Sequence, residues 1–597
     1  MGEYKRSRPE ENLKPFNVKY IENPTQEELR EMALKYTPAI LTSKYGNLDK
    51  ITVRKARMAK YTYIIAPESE QDKWSSKVID AKRAEELIDR QKKYIEEQGQ
   101  AIVIDGYIGL ERETAVPVQW IYSMEGANVA GMQQVLSFPR EMVETEEELK
   151  RPFVPKMRVI MTPGLYHDDM PGRMAVIVDL ENFTTHVMGS DYFGESKKGM
   201  LRMLNEWVYQ RGGLVLHAGA KIVKVGGKLV TMGVMGLSGT GKTTTTFSKQ
   251  GELTQPLQDD MVCFWPGGKF TITENGCFAK TFGLKKETEP IIYNGTVAPT
   301  AWVENVYMNE DGTYDFSKQI LSPEDVKRYR EIFIETLNDP ENIDAYIEGR
   351  VKIEDIVDEY GIPKDGWDFV VWTQNGRSII PMKNIEGAAD PHNVPPVKYL
   401  GMLNRDEGRD AATPGIIKFR SPEQAAGYFM LGETSKTSAA GKERGKTRSP
   451  FTQPFFPRAF GLQAIRYSEL AKQVPDLVNW LMNTGYVGGD QKDEERGEAL
   501  KVKIKHSSAM LEAMLSGKIK WKPDPDFGYY IVDVDAPENR ELLEKVPPEI
   551  LNPVIFFEKA GRLDEYREWV RRMKKERKEF LEKYRVDPAV IKETINE

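Results

Sequence analysis

The chain has 597 residues, of which 40% are hydrophobic and 29% charged, a composition typical of a soluble globular protein with more than one domain. Its net charge of −7 argues against nucleic acid as a partner, because a phosphate backbone requires a basic surface. Two cysteines, a polar N-terminus and the lack of an apolar stretch of about 18–20 residues predict a cytoplasmic protein without disulfides or membrane partners.

The first half of the chain alternates helical and strand-like patterns. Residues 1–20 are charged and contain prolines, which predicts a mobile arm. The pattern that follows predicts helices at 25–36, 80–98 and 196–210, and strands at 101–108, 157–161 and 173–179. The sequence Arg-Gly-Gly at 211–213 ends the last helix. We therefore predict an N-terminal domain at 21–212 and a C-terminal domain at 213–597.

The second half begins with strands around a glycine-rich loop, and later strands are predicted at 270–272 and 368–372. Residues 317–366 are helical, strongly charged and nearly free of glycine, which predicts an inserted surface subdomain. Residues 559–597 predict a charged amphipathic helix, whose polar face is more simply explained by solvation than by a partner.

The glycine-rich loop is the most informative motif. Residues 236–243 read Gly-Leu-Ser-Gly-Thr-Gly-Lys-Thr and follow the apolar run 228–235 directly. In such a phosphate loop (P-loop) the backbone N–H groups surround phosphate oxygens, the lysine reaches the β- and γ-phosphates and the final hydroxyl holds a divalent cation. The predicted nucleotide-binding residues of the loop are Gly236, Leu237, Ser238, Gly239, Thr240, Gly241, Lys242, Thr243 and Thr244.

Three further features lie near this loop in the sequence. Asp259 and Asp260 follow it, His217 lies on an apolar strand before it, and residues 192–198 read Tyr-Phe-Gly-Glu-Ser-Lys-Lys. Each has an ordinary explanation on its own: a turn, a core histidine and a solvated lysine pair. A carboxylate that leaves a strand beside a phosphate loop, however, is typical of a divalent-metal site.

Taken in order, these motifs resemble those of one family, the phosphoenolpyruvate carboxykinases, and specifically its ATP-dependent branch. The GTP-dependent branch uses a different phosphate-loop sequence, which is absent here. The matching segments extend over about half of the chain and are 192–199, His217, 236–244, 259–260, 276–281, 289–294, 303–306, 375–378, 440–445 and 482–485.

The resemblance implies a two-lobed α/β fold, with an N-terminal α/β domain and a C-terminal P-loop domain that has a mixed sheet and binds nucleotide and metal. It places the active site in the cleft between them. The implied reaction converts oxaloacetate and ATP to phosphoenolpyruvate, CO₂ and ADP. Decarboxylation forms an enolate that Mn²⁺ stabilises, and the enolate attacks the γ-phosphorus in line. The expected assembly is a monomer or a small homo-oligomer.

The resemblance also implies two metal sites. Lys198, His217 and Asp260 would bind the catalytic Mn²⁺, and this requires a neutral lysine. The Mg²⁺ that accompanies ATP would lie on Thr243, with Asp259 in its outer shell.

The substrate side has its own set of expected residues. Arg57 would grip oxaloacetate, although Arg54 is an alternative in this sequence, and Tyr192 and Lys198 would contact the same substrate. Lys197 would meet the substrate or the transferring phosphoryl group, and Arg377 would bridge the γ-phosphoryl group and the substrate.

Three residues complete the catalytic and nucleotide sets. Ser238 would lie near oxaloacetate, Lys242 would neutralise the phosphates and Arg444 would lie on or near the base.

Several alternatives stay open from the sequence. The residues after Arg444 differ from the family pattern, so GTP or pyrophosphate is possible as the phosphoryl donor. A kinase acting on a hydroxyl, built on the same phosphate loop, would need a carboxylate base and would have no use for Lys198 with His217. A nucleotide-sensing protein without catalysis would show gaps in the metal set. The physiological direction and any effectors are not predicted.

Overall fold

The computed structural model describes residues 6–56, 59–237, 240–359, 361–436, 445–452 and 455–597. The protein is α/β, with mixed sheets and many helices. It forms two compact units: Met1–Trp207 with Thr273–Glu386, and Val208–Ile272 with Gly387–Glu597.

The first unit contains an eight-stranded mixed sheet. In spatial order its strands are Lys19–Glu22, Gln100–Ile108, Val116–Tyr122, Met157–Thr162, Thr184–Met188, Ala175–Asp179, Thr62–Ile65 and Lys77–Ile79. The strands predicted at 101–108, 157–161 and 173–179 are confirmed to within two residues at each end. Side chains of this sheet that are fully buried include Val118, Trp120, Val159, Ile177 and Val187.

A second sheet of the first unit joins distant parts of the chain. Its strands, in spatial order, are Gly276–Lys280, Arg377–Pro381, Trp302–Glu304, Leu48–Lys50 and Ile40–Thr42. Trp302–Glu304 pairs in parallel with Leu48–Lys50. Because of this pairing, residues 273–386 belong with the N-terminal part of the chain, and the prediction of one boundary at 212/213 is wrong for them. A short hairpin, Tyr307–Met308 with Tyr314–Asp315, follows.

The helices of the first unit include those predicted at 25–36, 80–98 and 196–210. The first is capped by Thr25, whose side chain and that of Glu28 form a capping box, and the second by Asp80. The helices are Gln26–Tyr36, Ala81–Gln98, Ala127–Leu136, Arg140–Val143, Glu146–Leu149, Phe193–Gln210, Pro290–Thr296, Pro323–Arg328, Arg330–Glu335, Pro340–Ile347 and Ile353–Ile356.

The described part of the predicted mobile arm is packed, so that prediction is wrong for residues 6–20. Arg6 pairs with Asp179 at 3.1 Å, and Phe16 is buried. Lys19–Glu22 is the edge strand of the main sheet and pairs with Gln100–Ile108, the second strand in spatial order. The backbone ladder and the buried ring outweigh the polar composition of the segment.

Residues 317–366 are helical as predicted, but they share a core with the N-terminal region. Val326, Phe333 and Tyr346 pack in one cluster with Ala39 and Ile51. One face of the segment is therefore buried within the first unit.

The strand predicted at 368–372 is wrong. Asp368–Val370 forms a 3₁₀ turn in which the Val371 N–H donates to the Asp368 carbonyl at 3.3 Å. Phe369, Val370 and Trp372 are buried. A short run of buried apolar residues looks the same in the sequence whether it forms a strand or a turn, and this explains the wrong prediction. The segment also belongs to the first unit, whereas the phosphate loop belongs to the second.

The second unit is built on another eight-stranded mixed sheet. In spatial order its strands are Thr254–Gln258, Ala218–Val225, Lys228–Gly236, Val397–Asn404, Val478–Asn483, Ile416–Lys418, Tyr530–Val532 and Trp521–Pro523. The third, fourth and fifth of these are mutually parallel, and the remaining pairs are antiparallel.

Smaller strand groups surround that sheet. They are the three-stranded sheet Leu214–Leu216, Val262–Phe264 and Phe270–Ile272, the pair Thr434–Lys436 with Gly445–Thr447, and the pair Tyr486–Val487 with Leu500–Lys501. The helices are Lys242–Phe247, Pro422–Leu431, Leu462–Lys472, Gln491–Glu495, Ile504–Leu515, Arg540–Leu543, Pro548–Leu551, Pro553–Lys559, Leu563–Lys583 and Pro588–Ile595.

The charged C-terminal helix predicted over 559–597 is in fact two helices, Leu563–Lys583 and Pro588–Ile595. Arg585 between them has a positive φ of 54°. Asp587 caps the second helix by accepting from the Ala589 N–H at 2.8 Å, and Pro588 occupies its first position. Across the described residues, none of the helices combines the length and the apolar character that a bilayer crossing requires.

Candidate active site

The phosphate-loop sequence connects the strand Lys228–Gly236 to the helix Lys242–Phe247. Gly241 has φ +86°, which favours glycine. A Cβ on Gly236 would lie 2.5 Å from Thr240 Oγ1, so a side chain does not fit there. Ser238 and Gly239, predicted to bind substrate and nucleotide, lie outside the described residues.

The side chain of Lys242 is directed to a carboxylate. Its Nζ donates to Asp260 Oδ1 at 2.9 Å, and His217 Nε2 lies 2.8 Å from the same oxygen. The other ring nitrogen, His217 Nδ1, is 3.0 Å from the carbonyl oxygen of Phe451. Because a carbonyl only accepts, Nδ1 carries a proton. The second unit thus joins three of the predicted site residues.

The other predicted residues near the loop are placed by the same elements. Asp259 and Asp260 follow the strand Thr254–Gln258, and Asp259 is buried. Thr243 lies in the first turn of the helix Lys242–Phe247, followed by Thr244. Arg444, the predicted base contact, lies outside the described residues.

Two residues that support the loop were not assigned a role from the sequence. Thr484, in the matched segment 482–485, donates its hydroxyl to the carbonyl of Thr240 at 2.9 Å. Lys221 is fully buried and donates to the carbonyl oxygens of Thr245 at 2.7 Å and Ser248 at 3.0 Å. It therefore caps the C-terminal end of the phosphate-loop helix. Burial lowers the pKa of Lys221 to about 7.

In the first unit, two predicted cations flank one aromatic ring. Lys197 is fully buried, lies 2.8 Å from Glu274 Oε1 and has its Nζ 4.8 Å from the centre of the Phe278 ring. The Arg377 guanidinium lies 5.2 Å from the same ring centre. Both positive charges therefore lie within cation–π distance of one aromatic ring.

Lys280 is a further cation of this group, and the sequence analysis did not predict it as a site residue. It pairs with Arg377 across two antiparallel strands. Burial, together with the charge of Arg377, lowers the pKa of Lys280 to about 8. The signal for it was the matched segment 276–281, in which it is the only charged residue.

Tyr192 and the segment before Arg57 are held by polar contacts. Asn375 donates its amide to Tyr192 Oη at 3.2 Å and to the Lys55 carbonyl at 2.8 Å. Asp191 accepts from the Val53 N–H at 2.8 Å and from the Arg54 N–H at 3.1 Å. These bonds anchor residues 53–55 next to the predicted substrate residues.

The choice between Arg57 and Arg54 is narrowed by this packing. The guanidinium of Arg54 donates to the backbone carbonyls of Gly172 and Gly189. These hydrogen bonds would have to break before Arg54 could bind a substrate carboxylate. Arg57 lies outside the described residues. The role of Arg57 stays a prediction, and the contacts of Arg54 favour Arg57 over it.

The helix that carries both lysines begins against a buried carboxylate. Glu304 Oε2 accepts from the Phe193 N–H at 2.9 Å, at the first residue of the helix Phe193–Gln210. Burial raises the pKa of Glu304 from about 4.5 to about 8, and burial likewise raises the pKa of Asp49 on the paired strand to about 8. Lys198 is buried one residue beyond Lys197.

We expect the free energy of unfolding of Glu304→Gln to exceed that of the unaltered chain by an amount that grows as the pH rises. Between about pH 4.5 and 8 the unfolded chain loses the Glu304 proton while the folded protein keeps it, so the free energy of unfolding falls with pH. Glutamine has no such proton, and the difference between the variants should grow by about 2–4 kcal/mol over this window. Urea unfolding at pH 5, 6.5 and 8 measures it. The exposed Glu287→Gln is the control, and a pH-independent difference would contradict the assignment.

Over the described residues, no cluster of three or more His, Cys, Asp and Glu side chains is arranged to hold a metal ion. The predicted ligand set is of another kind, since one of its three members is a lysine. Two of the three, His217 and Asp260, are in contact in the second unit.

A phosphate-loop sequence between a strand and a helix, with its lysine in contact with a carboxylate, is typical of nucleotide-dependent phosphoryl-transfer enzymes. The family model described as phosphoenolpyruvate carboxykinase matches residues 18–345 and 354–538. The chain belongs to the phosphoenolpyruvate carboxykinase family. Most of the segment predicted as an insertion, 317–366, lies within this match, and residues 539–597 lie beyond it.

Named relatives agree over most of the chain at low identity. The phosphoenolpyruvate carboxykinase (ATP) of Lysinibacillus sphaericus is 27% identical over 546 residues, which cover 88% of this chain and 87% of the relative. The enzyme of the same name from a Bradyrhizobium species (strain ORS 278) is 30% identical over 432 residues, 69% of this chain and 66% of its own length. That of Staphylococcus aureus (strain MRSA252) is 25% identical over 573 residues, 91% of this chain and 92% of the relative.

Proposed function

We propose that the chain converts oxaloacetate and ATP to phosphoenolpyruvate, CO₂ and ADP. The observation that carries this proposal is the convergence of Lys242 and His217 on Asp260 in a chain of this family. We further propose that it acts in the cytoplasm as a monomer or small homo-oligomer. Residues from both units would contribute to the reaction.

The phosphate side of the proposal rests on the loop and its supports. Lys242 would leave Asp260 for the β- and γ-phosphates when ATP binds, because the phosphates carry the greater negative charge. Backbone N–H groups of residues 236–244 would bind the remaining phosphate oxygens. Thr484 and Lys221 would hold the loop and its helix in place during this exchange.

The residues present fit the proposed metal ions. Asp260 Oδ1 lies 2.8 Å from His217 Nε2, and a carboxylate oxygen beside an imidazole nitrogen is a pair of groups that binds divalent metal ions. These two side chains would be two of the ligands, and Lys198 would be the third. Thr243 and Asp259 would hold Mg²⁺ with the nucleotide.

When bound, Mn²⁺ would supply positive charge for the oxygen that becomes negative as CO₂ leaves. The chain's own residues would do the rest. Arg57 and Tyr192 would orient oxaloacetate, and Lys197 and Arg377 would draw the two reactants together and disperse the charge on the transferring phosphoryl group. No covalent enzyme intermediate and no general base are required, because loss of CO₂ generates the nucleophile.

Formation of phosphoenolpyruvate from oxaloacetate, measured with Mn²⁺ and Mg²⁺ and with ATP, GTP and pyrophosphate in parallel, tests this function. ATP is expected to be the best donor. Absence of product with every donor would overturn the proposed reaction. Product with GTP or pyrophosphate alone would keep the reaction and overturn the donor.

Lys198→Ala is expected to abolish the stimulation of product formation by Mn²⁺, because the variant removes one of the three proposed ligands. ATP binding, measured by titration calorimetry, should stay within about threefold, since Lys198 is not a proposed phosphate ligand. An unchanged Mn²⁺ response in this variant would remove Lys198 from the ligand set. Lys249→Ala, an exposed lysine that follows the phosphate-loop helix, serves as the control.

A further inference from the structure

The helix Leu563–Lys583 lies beyond the part of the chain that matches the family. One of its faces is buried, and the residues on that face are Tyr566, Trp569, Val570, Met573, Arg577 and Leu581. The Trp569 ring packs edge-to-face on Phe527, with ring centres 5.5 Å apart. This helix is therefore an integral part of the second unit.

Arg577 is a buried, hydrogen-bonded arginine of this helix. It is 3% exposed, and its guanidinium lies 4.9 Å from the centre of the Tyr428 ring and 4.8 Å from that of the Phe527 ring. Its guanidinium donates to both carboxylate oxygens of Glu433, at 3.0 and 2.7 Å, and to Tyr428 Oη at 2.9 Å. A bidentate pair of this kind fixes orientation as well as distance.

Glu433 is shared with a second arginine. Arg448 Nε donates to Glu433 Oε1 at 2.8 Å, and its Nη1 pairs with Glu576 of the same helix at 2.9 Å. Burial alone would raise the pKa of Glu433, but Arg577 and Arg448 outweigh it and lower that pKa to about 2. The four side chains therefore form a charge-balanced network.

This network closes the base of a strand pair. Glu433 directly precedes Thr434–Lys436, and Arg448 directly follows its antiparallel partner Gly445–Thr447. The helix therefore contacts the strand pair where the first strand begins and the second strand ends.

A second link runs from the helix toward the phosphate loop. Arg572 forms an ion pair with Asp410. Lys446, in the strand pair, has its Nζ 3.2 Å from Oδ1 of Asp410 and 3.2 Å from Oδ1 of Asp406. The Asp406 N–H donates to the side chain of Asn483 at 3.1 Å. Asn483 is followed by Thr484, which holds the loop through the Thr240 carbonyl.

The space among these residues is too small for a ligand. The cavity lined by Asp406, Glu433, Lys446, Arg448 and Arg577 has a volume of about 20 Å³, enough for one water molecule. The cluster therefore has the character of a support and not of a binding pocket.

We propose that the helix Leu563–Lys583 is a positioning element for nucleotide binding, which acts by fixing Glu433 and Asp410 and, through them, the strand pair and the contacts behind the phosphate loop. The inference rests on the proposed function only in taking ATP as the nucleotide. Arg577 and Arg572 are positioning residues, since neither has a contact with the described residues of the loop, 236–237 and 240–244.

The decisive comparison is between two adjacent arginines of the helix. Arg572→Ala removes the pair with Asp410, whereas Arg571→Ala removes only a surface pair with Glu568, three residues away on the same helix. We expect Arg572→Ala to raise the Kd for MgATP about threefold and Arg577→Gln about tenfold. Arg571→Ala should leave it unchanged.

Binding of MgATP is measured by titration calorimetry, and kcat and the KM for oxaloacetate are measured beside it. A positioning role predicts that these two values stay within twofold in Arg572→Ala. An unchanged Kd in Arg572→Ala, or an equal loss of affinity for both substrates, would overturn the proposal. Asp410→Asn combined with Arg572→Ala should be no weaker than Asp410→Asn alone.

The outcomes separate this proposal from the proposed function. ATP binding without phosphoenolpyruvate formation by the unaltered chain would overturn the reaction, while the comparison of Kd values would still decide the role of the helix. If Arg577→Gln does not fold, Arg572→Ala, at a side chain that is 40% exposed, decides alone. Failure of the unaltered chain to bind ATP would overturn both.

Discussion

Replacing Lys242 by methionine is expected to lower kcat/KM for ATP by about 10³-fold, the cost typical of removing one preorganised charge from a transition state. Methionine keeps most of the length of the lysine side chain and removes its charge and its three donors. Without the ammonium group, nothing at this position neutralises the β- and γ-phosphates. Steady-state kinetics with ATP varied at saturating oxaloacetate measures the effect.

Two comparisons make the result specific to Lys242. Lys249→Met, at the exposed lysine that follows the phosphate-loop helix, should change kcat/KM by less than twofold. Lys242→Arg keeps the charge but not the compact shape, and should recover only part of the activity. A loss of less than tenfold in Lys242→Met would show that Lys242 is not the phosphate-binding lysine.

Asp260→Asn is expected to raise the Mn²⁺ concentration for half-maximal activity by about 100-fold. The amide keeps the shape of the side chain, but it loses the negative charge on which Lys242 and His217 converge. Binding of Mn²⁺ to the protein alone, followed by its electron paramagnetic resonance signal, should weaken in parallel. That second readout does not depend on turnover.

The control for Asp260→Asn is Asp476→Asn, whose carboxylate is 87% exposed. It should leave Mn²⁺ binding unchanged. If Asp260→Asn lowers kcat but leaves Mn²⁺ binding as in the unaltered chain, Asp260 acts through Lys242 and not as a metal ligand.

The parts of the site that were predictable from sequence are those set by local order along the chain. The phosphate loop needs a strand, a tight turn and a helix in succession, and the sequence of residues 228–247 indicates all three. Lys242 and Asp260 lie near each other because the strands before them, Lys228–Gly236 and Thr254–Gln258, are both antiparallel to Ala218–Val225 and therefore end at the same edge of the sheet. Lys221 was missed, since its role depends on its burial against the end of the helix, 24 residues further along the chain.

The errors in the predicted fold come from long-range pairing and from short buried segments. No local signal at 276–280 shows that this strand belongs to a sheet containing Leu48–Lys50. The break before Pro588 was missed although the sequence carries a signal for it, because aspartate followed by proline is a typical helix start. A polar composition at 6–20 did not reveal that its few apolar residues are buried.

The parallel pairing of Leu48–Lys50 with Trp302–Glu304 has a consequence for biosynthesis. Thr52 and Asn305, beside these strands, hydrogen-bond across 253 positions of sequence. At about 5–20 residues per second, a ribosome needs roughly 10–50 s to make the intervening chain. During that interval the edge of Leu48–Lys50 has no neighbour from the later strands, whereas the long sheet formed by residues 19–188 is complete in sequence about halfway through it. The first unit therefore matures in two stages, and a nascent chain is most exposed to misassociation between them.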